Sequence, residues 1–590
     1  MPPVKNAYDI VWNAESLVIF KSKAIGRTQE YVLKMNDESA IEEWQNISFN
    51  TTSTIEYFIK EAKTIKQSGE KIDAERNNGE VVFINLEVGD YIFVSYLEKQ
   101  YNGGKSSVFI SDVFSLNSFT PVYEEEYNLY VEDGVSVIDT CFNASVVPEI
   151  SQKEGFKIYK WSVNSPEVVK NESNALPFYD IAQTVHVAVN YSWKDIVQWF
   201  SDLSTYQAIP DYTIKTLAGE LFDGSEKDLS DEEKAKVIYN FVAKNINYSS
   251  IDFRQSGYIP QKASQVYHSR LGDCKDVSTL FVSLARVAGL DAELVLVNTS
   301  DNGQNSVLLP SLNFNHCIVK VHLEKGDKFL ELTDPDLPFG YLYNSHNGAS
   351  ILEIPTGNNI SEDIHLTYLA FNEGYKNEVF RHSKVNITDD FKMKIRKENI
   401  KTGVYASGMC KTYFYSDEKE QKDKLKQSIS NDFNSALTLD ALDFKKLEPR
   451  LDTAIFSFDI TVDNDVLKLG SFRSVKVPFS DILVRMNIFE DSERTLDFDF
   501  VNYEDVDRYE ETIEIGLPEG HSFVEIPEDV HLEYKGCYYN LNFERNGSDQ
   551  LKVHRVYTVN RQNVKPEEFS AFKVFMSKLN EAENTHLLFK

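Results

Sequence analysis

The chain has 590 residues, of which 42% are hydrophobic, 13% aromatic and 26% charged, a balance typical of globular proteins that excludes a disordered or fibrous chain. At roughly 150 residues per domain, this length predicts three or four domains. The 61 basic and 92 acidic residues give a net charge of -31, which would repel a phosphate backbone, so we expect no nucleic-acid partner.

The distribution of apolar residues and of cysteines argues against a membrane-spanning protein and against a disulfide- or zinc-stabilised one. No window of about 18 to 20 uninterrupted apolar residues occurs, so no transmembrane segment is predicted. The five cysteines are far apart in sequence and form no CxxC pair, which argues against a disulfide framework and against a structural zinc site of the usual spacing. They are Cys141, Cys274, Cys317, Cys410 and Cys537.

The first region, residues 1–187, has the pattern of strands separated by turns. Residues 81–86 and 91–96 are runs of β-branched and aromatic side chains with Gly89 and Asp90 between them. Such runs favour paired strands. We therefore expect a β-rich N-terminal domain.

The second region, residues 188–355, begins with helical periodicity and ends with short strands. Ser192 with Asp195, and Ser230 with Glu233, have the spacing of a capping box at a helix start. Apolar residues then recur at three- and four-residue intervals, which indicates helices with one buried face. Strands are predicted at residues 292–297, 317–321 and 328–332.

The third region, residues 356–590, is again mostly strand-like. One helix is predicted at residues 418–428, and a second begins at Pro566, where proline suits the first turn. The apolar side chains of the terminal helix follow at three- and four-residue spacing: Phe569, Phe572, Met576 and Leu579. This region is expected to be a β-rich C-terminal domain that ends in a helix.

The residues with chemical potential begin at Cys274. An apolar stripe runs from Val277 to Ala288 and is followed by Gly289, a suitable helix-ending residue, so Cys274 lies in the first turn of a helix. There the unpaired backbone N–H groups and the helix dipole favour a thiolate, the form in which cysteine acts as a nucleophile. The alternative is a small buried core cysteine, and this feature alone does not decide between them.

A histidine and an acidic residue follow at the right places to support the nucleophile. His316 stands at the start of one predicted strand and Asp334 just after the next. Two antiparallel strands can present both side chains to the helix that carries Cys274. The imidazole would then take the thiol proton while the carboxylate fixes the orientation of the ring. Cys317 should point to the opposite face of its strand and is interpreted as a core residue.

These segments resemble a known family. Residues 272–276 (GDCKD), 314–316 (FNH) and 333–334 (TD) are similar to the transglutaminase-like superfamily, which shares the papain-like cysteine protease fold and a Cys-His-Asp triad in this chain order. The resemblance extends through residues 241–248 and 257–260, similar to the lead-in segment of bacterial members. Residues 7–185 and 505–590 resemble the β domains that precede and follow the core in such proteins.

The resemblance implies an α+β fold and a set of roles. A papain-like transglutaminase core at 188–355 would be flanked by two mainly antiparallel β domains. Cys274 would be the nucleophile, His316 the general base and acid, and Asp334 the orienting carboxylate. The backbone N–H of Cys274 would hold the oxyanion, together with the side chain of Tyr248 or, as a rival, Gln255.

No metal or cofactor is implied. The CxxC zinc module of the related peptide N-glycanases is absent, and acidic runs such as residues 490–493 lack the ligand spacing of a calcium loop. Because the family is commonly exported, we expect a leader absent from this sequence and a periplasmic or extracellular location, with the cytoplasm as the alternative.

The implied reaction is acyl transfer on protein or peptide amides through a thioester. Hydrolysis by a peptidase or amidase is favoured, since water needs no second substrate site. A protein-crosslinking transglutaminase would use the same residues. A third hypothesis is a non-catalytic binding or assembly protein that uses the core as a scaffold. The sequence does not indicate an oligomeric state.

Overall fold

The computed structural model describes residues 6–52, 55–77, 79–100, 109–224, 228–249, 257–355, 360–370, 375–481, 483–489 and 493–590. The fold is α+β, as predicted: a helical layer and a sheet form the centre, and β-rich regions lie before and after it. Within the described residues, every helix is too short or too polar to cross a bilayer.

Among the described residues, the N-terminal region contains one eight-stranded sheet and two three-stranded sheets. Its strands are β1 Tyr8–Ile19, β2 Ile25–Met35, β3 Asn46–Ser48, β4 Ile55–Ile65, β5 Lys71–Asp73, β6 Glu75–Asn77, β7 Glu80–Val82, β8 Tyr91–Gln100, β9 Ser111–Ser115, β10 Glu124–Glu132, β11 Val137–Phe142, β12 Glu149–Lys153, β13 Phe156–Asn164 and β14 Thr184–Val189. Its helices are α1 Glu38–Trp44 and α2 Phe178–Ile181.

The large sheet has the order β12-β13-β10-β1-β2-β8-β4-β5, and two three-stranded sheets accompany it, β11-β14-β9 and β3-β7-β6. All pairs are antiparallel except β1 with β10. One core cluster joins the large sheet to β9 and β14 around the buried rings of Tyr127 and Trp161.

Among the described residues, the central region supplies five α-helices and seven strands. The helices are α3 Trp193–Gln207, α4 Tyr212–Phe222, α5 Asp231–Asn245, α6 Ala263–Ser269 and α7 Cys274–Val287. The antiparallel sheet has the order β19-β18-β17-β20-β21, with β17 Ala292–Asn298, β18 His316–Val321, β19 Lys328–Leu330, β20 Ser350–Ile354 and β21 Thr367–Tyr368. A short parallel pair, β15 Asn247–Tyr248 with β16 Leu271–Gly272, precedes α7.

The predicted helix signals are confirmed in this region. Ser192 and Ser230 cap α3 and α5 with complete capping boxes, and Gly289 follows α7 with a φ of 77°. Helix α7 packs on β17 and β18, and the apolar stripe from Val277 to Leu284 is buried there. Strand β14 spans residue 187, and β21 pairs with β20 across residue 355; the domain limits at these residues stay a prediction.

The C-terminal region contains a second eight-stranded sheet, in the order β24-β25-β23-β22-β28-β32-β31-β30, and a four-stranded one, β26-β27-β33-β29. The strands are β22 Glu378–Ile387, β23 Met393–Thr402, β24 Leu437–Lys446, β25 Thr453–Val462, β26 Val466–Leu469, β27 Phe472–Lys476, β28 Arg508–Gly516, β29 Phe523–Glu525, β30 Val530–Tyr534, β31 Cys537–Arg545, β32 Gln550–Thr558 and β33 His586–Phe589. Helices α8 Val404–Met409, α9 Glu418–Ile429, α10 Phe500–Tyr503 and α11 Pro566–Glu583 complete it.

Both flanking regions contact the centre through specific hydrogen bonds. On the N-terminal side, the Asp180 carboxylate accepts from the backbone N–H groups of Gln304 and Asn305 at 3.1 and 2.8 Å. On the C-terminal side, the Arg450 guanidinium donates to the Pro335 carbonyl oxygen at 2.7 Å. These bonds hold the described parts of the three regions against one another.

Candidate active site

Cys274 is the first residue of α7, and a capping box fixes the start of this helix. The Asp273 carboxylate accepts from the backbone N–H groups of Lys275 and Asp276, and the Asp276 carboxylate accepts from the N–H of Asp273. Cys274 therefore lies in the first turn of the helix, as predicted. Cys274 is nonetheless only 5% exposed, and it adjoins the main apolar cluster of the central region.

His316, the first residue of β18, lies beside Cys274 because α7 packs directly on this strand. The two side chains line the same cavity and interact with each other. The Nε2 atom of His316 is 2.6 Å from Oε2 of Glu331, which leaves Nδ1 as the nitrogen available to the thiol. The structure thus brings Cys274 and His316 together as the sequence predicted.

Glu331, rather than Asp334, is the carboxylate that contacts His316. The reason is strand register: Val319 lies opposite Leu330, so continuing the register places Glu331 opposite Ile318, on the face shared with His316. Asp334 lies three residues further on, beyond the end of β19 at Leu330, and its carboxylate contacts other residues. The sequence had one visible indication, a charged residue within the apolar run 329–332.

Asp334 has a different environment, at the junction with the C-terminal region. Its carboxylate accepts from Ser407 Oγ at 3.1 Å, forms an ion pair with Lys411 at 2.8 Å and bonds the hydroxyl of Tyr343. Ser407 lies in α8, so these contacts join the core to that helix. The carboxylate that contacts His316 is thus Glu331, whereas the predicted Asp334 contacts Ser407 and Lys411 of the C-terminal region.

The charges of the site favour a protonated histidine. Burial disfavours the charged ring of His316, but the Glu331 carboxylate and the neighbouring Cys274 sulfur outweigh it and raise the pKa of His316 to about 10. Burial likewise disfavours the Glu331 anion, yet the histidines beside it hold the pKa of Glu331 well below its usual range. At neutral pH the arrangement is an imidazolium between a carboxylate and a sulfur.

A second histidine, His346, also faces Glu331 and was not predicted from the sequence. Its side chain is 4% exposed, and its Nε2 lies 3.2 Å from Oε2 of Glu331. Its ring packs edge-on against that of His316, with centroids 5.4 Å apart. His346 lies in a short 3₁₀ helix, Asn344–His346, so no strand or helix periodicity pointed to it.

These three residues also have the composition of a metal-binding group. One ligand atom from each of His316, Glu331 and His346 lies within 4.8 Å of the others, and two histidines with one glutamate suit zinc. However, two ligands at about 2.0–2.1 Å from one tetrahedral ion lie about 3.3 Å apart, whereas His316 Nε2 and Glu331 Oε2 are 2.6 Å apart. As they stand, these two atoms share a hydrogen bond rather than an ion.

Tyr248 lies near the sulfur, whereas Gln255 falls outside the described residues. Tyr248 pairs with Gly272, two residues before Cys274, and its side chain is half-exposed. Burial, followed by the electrostatic influence of the neighbouring Cys274, Asp273 and Glu331, raises the pKa of Tyr248 to about 12. Its hydroxyl therefore stays protonated at neutral pH and can donate a hydrogen bond.

The cavity next to Cys274 is small and mostly apolar. Its volume is about 20 Å³, and about 10–15 Å³ is enough for one water molecule. The described residues that line it all belong to the central region: Phe200, Tyr258, Cys274, Lys275, Leu296, Leu312, Phe314 and His316. The N-terminal region contacts this cavity indirectly, because its residue Phe109 packs on Trp199, which packs on Tyr258.

The other cysteines have no such surroundings. Cys317, Cys410 and Cys537 are buried and Cys141 is partly exposed, and burial raises the pKa of each of these four thiols. Cys317 belongs to the core cluster, as interpreted from its place in the strand.

Comparison with known families bears on this geometry. Residues 215–332, which include Cys274, His316 and Glu331, match the model of the transglutaminase-like superfamily. This part of the chain is a transglutaminase-like domain. Residues 474–589 match a domain of unknown function, DUF3858. The transglutaminase-like core is thus followed by a recognised β domain, in agreement with the resemblance seen in the sequence. A comparison with curated proteins gives no match.

Solved structures share this architecture. A candidate protease from Parabacteroides distasonis is 13% identical, and the alignment covers 99% of each chain with a TM-score of 0.68, which shows a common fold over the whole length. A candidate cysteine protease from Cytophaga hutchinsonii is 13% identical over 44% of this chain and 84% of that chain, with a TM-score of 0.18. The second similarity is too weak to carry an argument.

Proposed function

We propose that this transglutaminase-like protein catalyses cysteine-dependent acyl transfer on protein or peptide amides, with water as the usual acceptor. The observation that carries the proposal is the order Cys274, His316, Glu331, with the sulfur at a helix start and the histidine between sulfur and carboxylate. A thiolate beside an imidazolium is a prepared nucleophile. Among the similar solved structures, the Parabacteroides protein is named as a candidate protease.

The first half-reaction forms a thioester. Cys274 Sγ attacks the carbonyl carbon of the substrate, and a C–S bond forms while the carbonyl π electrons move to oxygen. In this proposal, the backbone N–H of Cys274 and the hydroxyl of Tyr248 donate to this oxyanion. When the intermediate collapses, the C–N bond breaks, and His316 gives its Nδ1 proton to the departing amine.

The second half-reaction releases the acyl group. His316, now neutral, takes a proton from water, whose oxygen attacks the thioester carbon. The C–S bond breaks, the product leaves as a carboxylic acid, and the thiolate and imidazolium are restored. Glu331 stays ionised throughout and holds the ring in place. A cavity of about 20 Å³ beside Cys274 suits water better than an amine side chain.

The test compares wild type with Cys274→Ala and with Cys141→Ala, which removes the partly exposed cysteine. We expect a peptide thioester or p-nitrophenyl ester probe to acylate wild type and Cys141→Ala at the same rate and to leave Cys274→Ala unmodified. Acylation of Cys274→Ala at the wild-type rate would contradict the proposal.

A second measurement separates the two acceptors. Turnover in H₂¹⁸O with a fluorescent primary amine present should place ¹⁸O in the product carboxyl group and leave the amine free. Predominant amine incorporation would instead identify a crosslinking transglutaminase. Failure of both acylation and turnover in folded wild type would favour the non-catalytic binding or assembly protein.

The exported location is part of the same proposal. Cell fractionation with an antibody to the protein checks it: recovery with periplasmic or secreted markers supports the location, and recovery with cytoplasmic markers contradicts it.

A further inference from the structure

The C-terminal region reaches the candidate site through one short turn. This turn, residues 343–346, contains the 3₁₀ helix Asn344–His346, and we refer to it as the His346 turn. Its first half is bonded to the C-terminal region and its last residue faces Glu331. It is therefore a direct physical connection between the DUF3858 domain and the transglutaminase-like core.

Asn344 makes the connection to the C-terminal region. Its side-chain Nδ2 donates to the backbone carbonyl oxygens of Val501 and Glu504 at 2.8 and 3.0 Å. Its Oδ1 accepts from Arg561 Nη1 at 2.8 Å. Val501 lies in α10, and both Arg561 and α10 belong to the DUF3858 match. One asparagine side chain is thus held by three bonds from that domain.

Arg561 is itself fixed, so the connection is rigid on the domain side. Its Nη2 donates to the Asp507 carboxylate at 2.8 Å and to the Asp505 carbonyl oxygen at 3.1 Å. The side chain is 9% exposed, so solvent screens these charge-assisted bonds little. A second contact supports the turn from the core: Ser300 Oγ donates to the Ser345 carbonyl oxygen at 3.1 Å.

At the other end of the turn, His346 is held by the chain rather than by bonds of its own ring. It is almost fully buried, and neither of its ring nitrogens makes a well-aligned hydrogen bond among the described residues. Its Nε2 nevertheless lies 3.2 Å from Glu331 Oε2, the same oxygen that contacts His316. The position of this ring therefore depends on the backbone of the turn.

The two carboxylate oxygens of Glu331 have different partners, and His346 is one of the partners of Oε2. Its Oε1 accepts from the backbone N–H and the hydroxyl of Thr333 at 2.7 and 2.6 Å. In the part of the chain that the structure describes, its Oε2 faces the two histidines. If His346 moves away, Oε2 loses the ring that packs against His316, and the carboxylate gains freedom to rotate.

We propose that the DUF3858 domain positions the active site, because Arg561 and α10 hold Asn344 and thereby keep His346 against Glu331 and His316. His346 is in this view a positioning residue, since it does not touch the sulfur. The inference rests on the same Cys274 site as the proposed function. It gives the C-terminal domain a role in setting the reactivity of Cys274.

The test measures the rate of Cys274 alkylation by iodoacetamide at pH 6 and pH 9, in the full-length chain, by mass spectrometry. The variants are His346→Ala, Asn344→Ala, Arg561→Ala and the double variant Asn344→Ala/Arg561→Ala. His346→Gln restores an N–H donor. Arg508→Ala is the matched control, since Arg508 lies in the same domain and, among the described residues, its side chain pairs with Glu510 alone. Thermal unfolding confirms that each variant is folded.

We expect His346→Ala, Asn344→Ala and Arg561→Ala to slow alkylation roughly 3- to 10-fold at pH 6 and less at pH 9, where thiols ionise without help. Apart from His346 itself, the charged or titratable groups that face Cys274 and His316 are unchanged in all variants. These groups are Glu331, Asp273, Lys275 and Tyr248. The double variant should lose no more than the larger single loss. His346→Gln and Arg508→Ala should stay within about 2-fold of wild type.

Two outcomes overturn the inference. One is an unchanged pH 6 rate in His346→Ala; the other is an unchanged rate in both Asn344→Ala and Arg561→Ala. Hydrolysis of a peptide substrate is measured in parallel. Because alkylation requires only the thiolate, a chain that shows the expected alkylation pattern without hydrolysis would refute the proposed function and leave this inference standing.

Discussion

At the scale of single residues, the site is an ion pair whose members stabilise each other. His316 keeps its proton because the Glu331 carboxylate and the Cys274 sulfur together outweigh the cost of burying its charge. Glu331 keeps its negative charge because two histidines and Thr333 surround it. Removal of either charge should therefore change the ionisation of the other groups.

The pH dependence of Cys274 reactivity follows from this. The pKa of His316 is raised to about 10, so the imidazolium is present below that pH and is lost as the pH rises through it. We expect the rate of wild-type acylation by a reactive ester to persist through the neutral range and to fall as the pH rises through about 10, where the imidazolium is lost. In Glu331→Gln the raising charge is absent, so this alkaline limb should move to lower pH. An unmoved limb would show that Glu331 does not set the ionisation of His316.

A matched pair of variants separates the two acidic residues. Glu331→Gln should lower acylation at pH 7 by roughly 10-fold or more, since it removes the charge that holds the imidazolium. Asp334→Asn should change it by less than about 2-fold but lower the melting temperature, because Asp334 joins the core to Lys411 and Ser407. Stopped-flow acylation and thermal unfolding measure the two effects, and the reverse ranking would restore Asp334 as the orienting residue.

In the proposed mechanism, the Tyr248 hydroxyl donates a hydrogen bond to the oxyanion. Tyr248→Phe should lower kcat for peptide hydrolysis by roughly 10- to 100-fold with little change in KM, since the donor acts on charge that develops in the transition state. Alkylation by iodoacetamide, which forms no oxyanion, should be unaffected. If alkylation falls in parallel with kcat, Tyr248 supports the structure of the site rather than the oxyanion.

Sequence reasoning predicted two of the three central residues at this scale. Cys274 follows from a helix start, and His316 from the start of a strand that packs on that helix. The carboxylate required knowledge of where β19 ends and how it pairs, because Glu331 directly follows the paired residue Leu330, whereas Asp334 lies three residues beyond Glu331 in irregular chain. His346 depends on a turn fixed by a distant region, which no local pattern encodes.

At the scale of elements, the start of α7 determines where the sulfur lies. Asp273 caps the helix and also pairs with the buried ammonium of Lys275 at 2.5 Å. The same capping chemistry starts α3 and α5, where Ser192 and Ser230 accept from the backbone three residues on. The caps differ in that only the α7 cap borders the nucleophile.

Asp273→Ala and Ser230→Ala form a matched comparison of these caps. Loss of an N-cap costs about 1 kcal/mol in the free energy of unfolding, and this is expected for Ser230→Ala. Asp273→Ala should cost more, since Lys275 also loses its carboxylate partner, and it should slow alkylation of Cys274, whereas Ser230→Ala should not. Denaturant unfolding and alkylation rates measure both. Equal effects of the two variants on alkylation would mean that the α7 cap has no special influence on the sulfur.

Elements were easier to predict than their arrangement. Capping residues and apolar periodicity located α3, α5, α7 and α11 to within a few residues, because these signals are local. Sheet order was not accessible: β1 lies beside β10, and β22 lies beside β28, in parallel pairs that join residues more than a hundred positions apart. Such pairings depend on packing between distant segments, which no short window of sequence contains.

At the scale of the whole molecule, the three regions cooperate around a site that belongs to one of them. The cavity beside Cys274 is lined by the central region, while the N-terminal region supports Trp199 through Phe109 and the C-terminal region holds Asp334 and Asn344. The flanking domains therefore act on the site through the residues behind it. At longer range, the net charge of the chain attracts or repels charged substrates.

The net charge of -31 should select substrates by electrostatic attraction. A cationic peptide approaches this surface faster than an anionic one, and salt weakens the attraction because the Debye length falls from about 30 Å at 0.01 M to about 8 Å at 0.15 M. We expect kcat/KM for a lysine-flanked peptide to exceed that for its glutamate-flanked counterpart at low salt. A serine-flanked peptide of the same length serves as the neutral reference. The ratio should approach one in 0.5 M NaCl; a ratio that persists there would place the preference in direct contacts near Cys274, since screening removes long-range attraction but leaves buried contacts intact.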